Sequence, residues 1–322
     1  YSVIEKREEL METCNTNCMT KATENMLENG ITTFGAISSH GMDLDVCENA
    51  KQNVVFFNEL IGSQAMMADT LFGDFISRLD ASKSIKRDGF YPAVAIHSPY
   101  AVHPILVKKA LDIVKNEGLK LTAHFMESQA EREWLDSSEG DFKEFFEELL
   151  QQKSAICDSK EFLDYFNTKE TLLTHAVKTN EDELNTIQKY NHTIIHCPIS
   201  NRLLGNPTLN IKTLNDKKIN WIVATDGLSS NYTLDLFEEM KVSLFMHSDA
   251  PLLKFANELI KGVTINAAKA LGLNTGEIKE GKNADMIILD LDKEPSEELA
   301  IHLILHKYNI SKVYINGNLA KG

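Results

Sequence analysis

His124 and Glu127 stand three residues apart in Leu121-Thr-Ala-His124-Phe-Met-Glu127, at the end of a short apolar run that follows Gly118. The run reads as a buried strand. A neutral imidazole at a strand mouth can hold a metal through one ring nitrogen, and a carboxylate one turn later can carry protons beside it. By itself the pair says little, because a strand-end histidine is more often a hydrogen-bonded polar residue than a ligand. The pattern recurs, however, in the apolar runs that end at His97, His175, His196 and Asp226. Zinc accepts both the imidazole nitrogen of His124 and the carboxylate oxygen of Asp226. Glu127 is then placed to take a proton from an activated water and pass it to a leaving group. His175 can ligate the metal or hydrogen-bond the water. Zinc lowers the pKa of a bound water to about 7, which makes this hydrolytic chemistry accessible at neutral pH.

Blander readings stand beside these. Asp226, in Thr-Asp-Gly, can simply cap a turn. His196 precedes Cys197-Pro198 and serves equally well as a core histidine bonded to a loop carbonyl or as a substrate contact. His302 and His306 have helical spacing with no glutamate between them, which favours packing or solvation. His40, His103, His192 and His247 read as structural or surface residues.

These side chains need strands to bring them together. Strand signals fall at 31–38, 54–61, 90–97, 119–123, 172–175, 193–196 and 220–226. Helical periodicity covers 2–29, stopped by Gly30, then a stretch through about Leu79, and 104–116 with Pro104 in its first turn. It resumes over 130–166, 180–190, 211–217, 233–247 and 253–271, and Asn180-Glu-Asp-Glu183 resembles a capping box. Strands alternating with helices imply a parallel sheet with helices outside. An open doubly wound sheet usually carries G-x-G-x-x-G, which is absent, so the alternation favours a (β/α)8 barrel. Seven units leave such a barrel without its first strand. The chain opens at Tyr1, without Met and directly in helical periodicity, so that strand is expected upstream. A barrel also predicts functional residues at the carboxyl ends of its strands. From Gly276 the texture becomes turn-rich and β-like, with a hairpin around Asn316-Gly317. This divides the chain into a barrel over 1–275 and the carboxyl-terminal part of a composite β-sandwich over 276–322.

Composition narrows the function classes. A net charge of -14 and a pI near 5.2 argue against nucleic acid as the partner. The five cysteines form no C-x-x-C pair, which suits a reducing cytoplasm. No apolar run approaches membrane-spanning length, so a membrane partner is not expected either.

Thr-Ala-His124-Phe-Met-Glu127, Leu-Thr-His175-Ala, His196-Cys-Pro-Ile-Ser-Asn201-Arg-Leu-Leu and Ala-Thr-Asp226-Gly-Leu-Ser-Ser-Asn231 together resemble the ordered motifs of the amidohydrolase superfamily. The branch is that of chlorohydrolases and of aminopurine and S-adenosylhomocysteine deaminases. His-Phe-Met-Glu-Ser followed by Glu-Arg-Glu-Trp is most similar to the aminodeoxyfutalosine deaminases of menaquinone synthesis. The resemblance implies His124 and Asp226 as zinc ligands, Glu127 as proton shuttle, and His175 as the group that orients the attacking water. It implies substrate contacts from His97, Glu127, Asn201 and Arg202. The reaction implied is attack of the activated water on C6 of an adenine ring, with Glu127 protonating N1 and ammonia leaving. A homodimer is expected at the level of the family.

Two departures matter. The family's opening His-x-His pair, which supplies two zinc ligands, occurs nowhere in this sequence. The chain by itself is therefore expected to bind zinc poorly and to be inactive. In addition, homocysteine-type deaminases carry an arginine where this chain has Asn58-Glu59, which leaves Arg202 as the candidate for a substrate carboxylate such as a benzoate, with a surface ion pair an equally good reading of that residue. The leading expectation is deamination of 6-amino-6-deoxyfutalosine. The alternatives are S-adenosylhomocysteine or methylthioadenosine deamination, another amidohydrolase reaction on guanine or a chlorotriazine, and a catalytically dead barrel used as a binding scaffold.

Overall fold

The structure is a computed structural model that describes residues 16–292, 294–306 and 308–322. Seven strands form one parallel sheet in chain order: β1 (Thr33–Ser38), β2 (Asn53–Leu60), β3 (Phe90–Ile96), β4 (Leu121–Phe125), β5 (Leu172–His175), β6 (Thr193–His196) and β7 (Asn220–Val223). Helices separate successive strands, and the sheet curls into a (β/α)8 barrel one strand short. This is the expected architecture.

Side-chain alternation sorts the strands into two cores. Val55, Phe57, Ala93, Ala95, Leu172 and Ile222 meet inside the sheet, closed at one end by the helix Ile265–Leu271. Their neighbours Val94, Ile96, Leu121, Ala123, Phe125, Leu173, Ile194, Trp221 and Val223 face outward, into the helices that carry Phe75, Leu79, Leu106, Val107 and Val114. Both faces of a parallel strand are thus covered, which explains why β2 is buried at every position.

The helices carry their own punctuation. Pro104 opens Pro104–Glu117, and Gly118, at φ 69°, closes it in the left-handed conformation that glycine adopts without strain. Asn180 and Glu183 form the expected capping box at the start of Glu181–Lys189. The helical passage over 130–166 is three helices, Gln129–Ser137, Asp141–Leu150 and Ser159–Tyr165, because Ser138 and Gln151 turn left-handed. The expected helix over 253–271 likewise breaks into Leu252–Gly262 and Ile265–Leu271 at Thr264. Gly262 lets the first of these lie close to β7, since a Cβ there would come within 3.3 Å of the Trp221 ring. The helix read over 2–29 is present from Thr16 to Glu28, and its earlier part lies outside the described residues.

After the barrel, β8 (Met286–Asp290), β9 (Asn309–Ile315) and β10 (Asn318–Lys321) form an antiparallel sheet in the order β10-β9-β8. Asn316 and Gly317, at φ 50° and 80°, make the two-residue hairpin turn expected from the Asn-Gly pair. Ile310, Val313 and Ile315 pack with Leu27 of the first helix. The short helix Leu299–Leu305, not read in the sequence, sends Ala300 and Ile304 into the barrel's outer core. Among the described residues, no helix is long and apolar enough to cross a membrane.

Candidate active site

Strand phase decides which polar residues reach the barrel axis. Glu59 continues the inward series Val55, Phe57 on β2, and His97 continues Ala93, Ala95 just past β3. His124 alternates with the outward-facing Ala123 and Phe125 on β4 and so points inward. The three are close enough for their ligand atoms to lie within 4.8 Å of one another. His97 Nδ1–H donates to Glu59 Oε1 at 2.7 Å, and Ser39 Oγ–H donates to the other carboxylate oxygen. Burial raises the Glu59 carboxyl, but the hydrogen bond and charge of His97 outweigh it and bring the pKa down to about 2. Because the carboxylate already holds the His97 Nδ1 proton, the trio is a hydrogen-bonded dyad beside a histidine. Glu59 therefore fixes His97 as a carboxylate fixes a metal-binding or catalytic histidine in other sites.

His124 is oriented by the chain itself. Its Nδ1–H donates to the backbone carbonyl of His97 at 3.0 Å, which leaves Nε2 with a free lone pair. Burial, with His97 and His175 beside it, pushes the imidazole down to about 4, so it is neutral at pH 7.

His175 breaks phase. Leu173 faces outward, so regular alternation would send His175 toward the helices as well. Instead His175 and Ala176 adopt φ 73° and 53°, left-handed values that non-glycine residues hold only under constraint. The side chain is re-aimed, with Nε2 at 3.5 Å from Glu127 Oε1 and 3.9 Å from Asp226 Oδ2. Asn201 Oδ1 accepts the Nδ1–H of His175 at 2.9 Å. Met126 (φ 53°) and Asp226 (φ 59°) are left-handed too, so three strand ends carry backbone strain around this group of side chains.

The electrostatics separate the two carboxylates. Burial, with Asp226 beside it, raises Glu127 from its ordinary value, against the pull of His124. A raised carboxyl suits a group that must both accept and give a proton. Asp226 is driven up by burial but falls below its ordinary value, because Ser200 Oγ–H donates to Oδ2 at 2.7 Å, His175 lies beside it and Gly227 N–H donates to Oδ1 at 2.7 Å. Paired groups whose environments push them apart in this way mark acid and base roles.

The motif after β6 divides. Pro198–Leu203 is a short helix in which Asn201 is buried with its carbonyl on His175, while its neighbour Arg202 is exposed. His196, in phase with the outward-facing Ile194, lies under the helical layer, edge-on to His247 with ring centroids 5.3 Å apart. Neither of its nitrogens has a hydrogen-bond partner, so the expected bond to a loop carbonyl is not formed, nor does the ring join the rim. Of the five polar strand ends, four converge. His103 caps its helix, His192 is buried with Nδ1 accepting from Thr171 N–H and Nε2 unpartnered, His247 is buried with both ring nitrogens hydrogen-bonded, and His40 is exposed. His302 stacks on His306 at 5.5 Å with both side chains open to solvent, in keeping with a packing or solvated role.

Three supporting residues were not read from the sequence. Glu59 was legible from the alternation Val55, Phe57, Glu59, and Glu131 from the spacing Ser128-Gln-Ala-Glu131. No local signal marks Glu239, a buried carboxyl pushed up to about 8 by burial, which accepts from Ile199 N–H and from Asn231.

Comparison with known proteins agrees with this geometry. The Amidohydrolase family matches residues 9–320. The chain belongs to the amidohydrolase family. It is 48% identical over 319 residues to an aminodeoxyfutalosine deaminase of a Nitratiruptor species, covering 98% of this chain and 78% of that one. The crystal structure of Helicobacter pylori aminofutalosine deaminase in complex with methylthio-coformycin superposes with a TM-score of 0.93 at 29% identity, over 99% of this chain and 79% of the other. An adenosine deaminase from Xanthomonas campestris with bound zinc shares the fold, with a TM-score of 0.74 at 20% identity over 94% of this chain and 69% of that one. Family and relatives together make this amidohydrolase a hydrolytic deaminase.

Among the described residues the side chains whose ligand atoms lie within 4.8 Å of one another are Glu59, His97 and His124, and the residues around them are of the types that bind a divalent ion such as zinc. His124 presents an unprotonated Nε2, Asp226 is an ionised carboxylate held by a serine, and His175 stands 3.9 Å from that carboxylate.

Proposed function

We propose that this amidohydrolase removes the 6-amino group of an adenine nucleoside derivative by hydrolysis, with 6-amino-6-deoxyfutalosine, an intermediate of menaquinone synthesis, as its substrate. The supporting observation is the convergence of Glu127, His175 and Asp226 at 3.5 and 3.9 Å on the carboxyl rim of the barrel. The identity of 48% to an aminodeoxyfutalosine deaminase directs the choice of substrate.

His124 and Asp226 would hold the metal, with His175 beside Asp226 at 3.9 Å. Zinc, when bound, supplies a water acidic enough to be deprotonated near neutral pH. Glu127, raised by burial, would take a proton from the attacking water and deliver it to N1 of the adenine ring. C6 would become tetrahedral; the proton of its new hydroxyl would then pass to the amino group, and the C6–N bond would break to release ammonia and leave C6=O with N1–H. His175, held by Asn201, orients the attacking oxygen through Nε2. His97, fixed by Glu59, meets the substrate beyond the base. Asn201 and the exposed Arg202 complete the substrate side, Arg202 as the cation for a carboxylate.

Glu59 weighs against S-adenosylhomocysteine. An ionised carboxylate occupies the position where homocysteine-type deaminases carry an arginine, and it would repel a substrate carboxylate there. The 322 residues contain no His-x-His pair and so lack two of the zinc ligands of the family pattern. By themselves they bind zinc weakly and turn over little, and a chain that supplies the pair restores activity.

The test is ammonia release from aminodeoxyfutalosine, methylthioadenosine and S-adenosylhomocysteine, compared side by side, with zinc content measured on this chain and on a longer one. Preference for aminodeoxyfutalosine by the longer chain supports the proposal. A tightly held zinc and full turnover in the 322-residue chain overturn the expected inactivity. No turnover in either chain supports a binding scaffold instead.

A further inference from the structure

We infer that Glu131 is a positioning residue for the deamination step, acting through Glu127; the inference rests on the role proposed for Glu127. Ser128 caps the helix Gln129–Ser137 by accepting the N–H of Glu131 at 3.1 Å. In a capping box the glutamate at this position returns the bond to the backbone N–H of the cap residue. Glu131 reaches further. Its Oε1 accepts from Met126 N–H at 2.9 Å and its Oε2 from Glu127 N–H at 2.8 Å. Both oxygens of a carboxyl that is 1% exposed are thus committed to the two peptide groups leading into the proton carrier.

The backbone there needs holding. Met126 is left-handed at φ 53°, a conformation that a non-glycine residue holds only under constraint. The other side of the same turn is held as well, because Met126 C=O accepts from Lys178 N–H at 3.0 Å and Phe125 C=O from Ala176 N–H at 2.9 Å. The turn after β4 is therefore clamped through its N–H groups by Glu131 and through its carbonyls by the strained turn after β5. Arg132, next in sequence, reinforces the second clamp by donating to Lys178 C=O at 2.8 Å and to Glu183 at 2.6 Å. Glu127 is left with side-chain freedom only, and its distance to His175 is set by this pair of clamps. A group that must meet two different atoms of a reacting substrate loses rate steeply when it is misplaced.

The experiment compares wild type, Glu131→Gln, Glu131→Asp, Glu127→Gln and the double variant Glu127→Gln/Glu131→Gln in the zinc-loaded, full-length enzyme. It records kcat, KM, zinc content and melting temperature. Glu131→Gln keeps the volume but turns an amide NH2 toward one of the two backbone N–H groups. The expected result is a kcat lowered by roughly 10–100-fold, with KM within about threefold and zinc content unchanged. Glu131→Asp, which keeps the charge but is too short to reach both groups, should fall between wild type and Glu131→Gln. In the Glu127→Gln background the second substitution should cost nothing further, because its effect passes through Glu127. A kcat per folded, zinc-loaded site equal to wild type, with only a lower melting temperature, would assign Glu131 a structural role and overturn the inference. Additive losses in the double variant, or a failure of both Glu131 variants to fold, overturn it too. If the wild type releases no ammonia from any nucleoside, it is the functional reading that falls, and this inference with it.

Discussion

Asn201 Oδ1 accepts the Nδ1–H of His175 at 2.9 Å, and this one bond decides that Nε2 is the nitrogen facing Glu127 and Asp226. Without it the imidazole could exchange tautomers and rotate, and it would offer a lone pair or a proton at random. Both partners are buried, so no water stands ready to replace the amide.

Asn201→Ala should lower kcat by roughly 10–100-fold, the usual loss when the group that orients a site histidine is removed. Asn201→Asp, which keeps an acceptor at the same atom, should retain more activity than the alanine variant. Steady-state ammonia release by the two variants checks this, and equal activities would remove Asn201 from the positioning role.

Ser200 Oγ–H reaches Asp226 Oδ2 at 2.7 Å, a bond that would support the carboxylate in the ligand role proposed for it. Ser200→Ala should weaken zinc binding by roughly 10–100-fold with little change in melting temperature of the zinc-free protein. Titration against a chelator of known affinity measures it. An unchanged zinc affinity would show that Asp226 needs no such support.

Glu59→Gln replaces a charge-assisted bond to His97 with a neutral one. The difference of about 1 kcal/mol should appear as a rise in KM of roughly fivefold to tenfold, with kcat nearly constant. A fall in kcat at constant KM would instead place His97 in the chemical step.

Acid stability should report on His192. The ring is 1% exposed, accepts the Thr171 N–H through Nδ1 at 3.2 Å, and is pushed by burial down to about 4. Its folded pKa therefore lies below its unfolded value of about 6.5. The unfolded chain binds the extra proton in that window, so stability falls as pH drops from about 6.5 to about 4 and is flat with respect to this group above it. The gap corresponds to about 3 kcal/mol for His192 alone. Urea unfolding of wild type and His192→Asn at about pH 7 and about pH 5 checks the sign. The variant should be less stable at neutral pH and should lose less on acidification.

Sequence and structure divide the explanation along strand phase. Apolar runs closed by polar residues, alternating with helical periodicity, were enough to specify parallel strands, a barrel one strand short and a site at their carboxyl ends. The inward placement of His97 and His124 was also legible, because a period of two leaves each side chain on a face that its neighbours identify. The same rule would have delivered Glu59 had Val55 and Phe57 been followed one step further.

What alternation could not convey is where it stops. His175 has the outward phase of Leu173 and would be read as a helix-facing histidine, like His196 after Ile194. One enters the site and the other does not, because His175 turns left-handed and is held there by Asn201, while β6 ends on His196 with no such reversal. A left-handed backbone in a non-glycine residue carries no local signature; it persists only where distant hydrogen bonds outweigh its cost. Residue types and their spacing thus determined the chemistry on offer and the rim that offers it. Tertiary contacts across separate strands decided which of those side chains face one another.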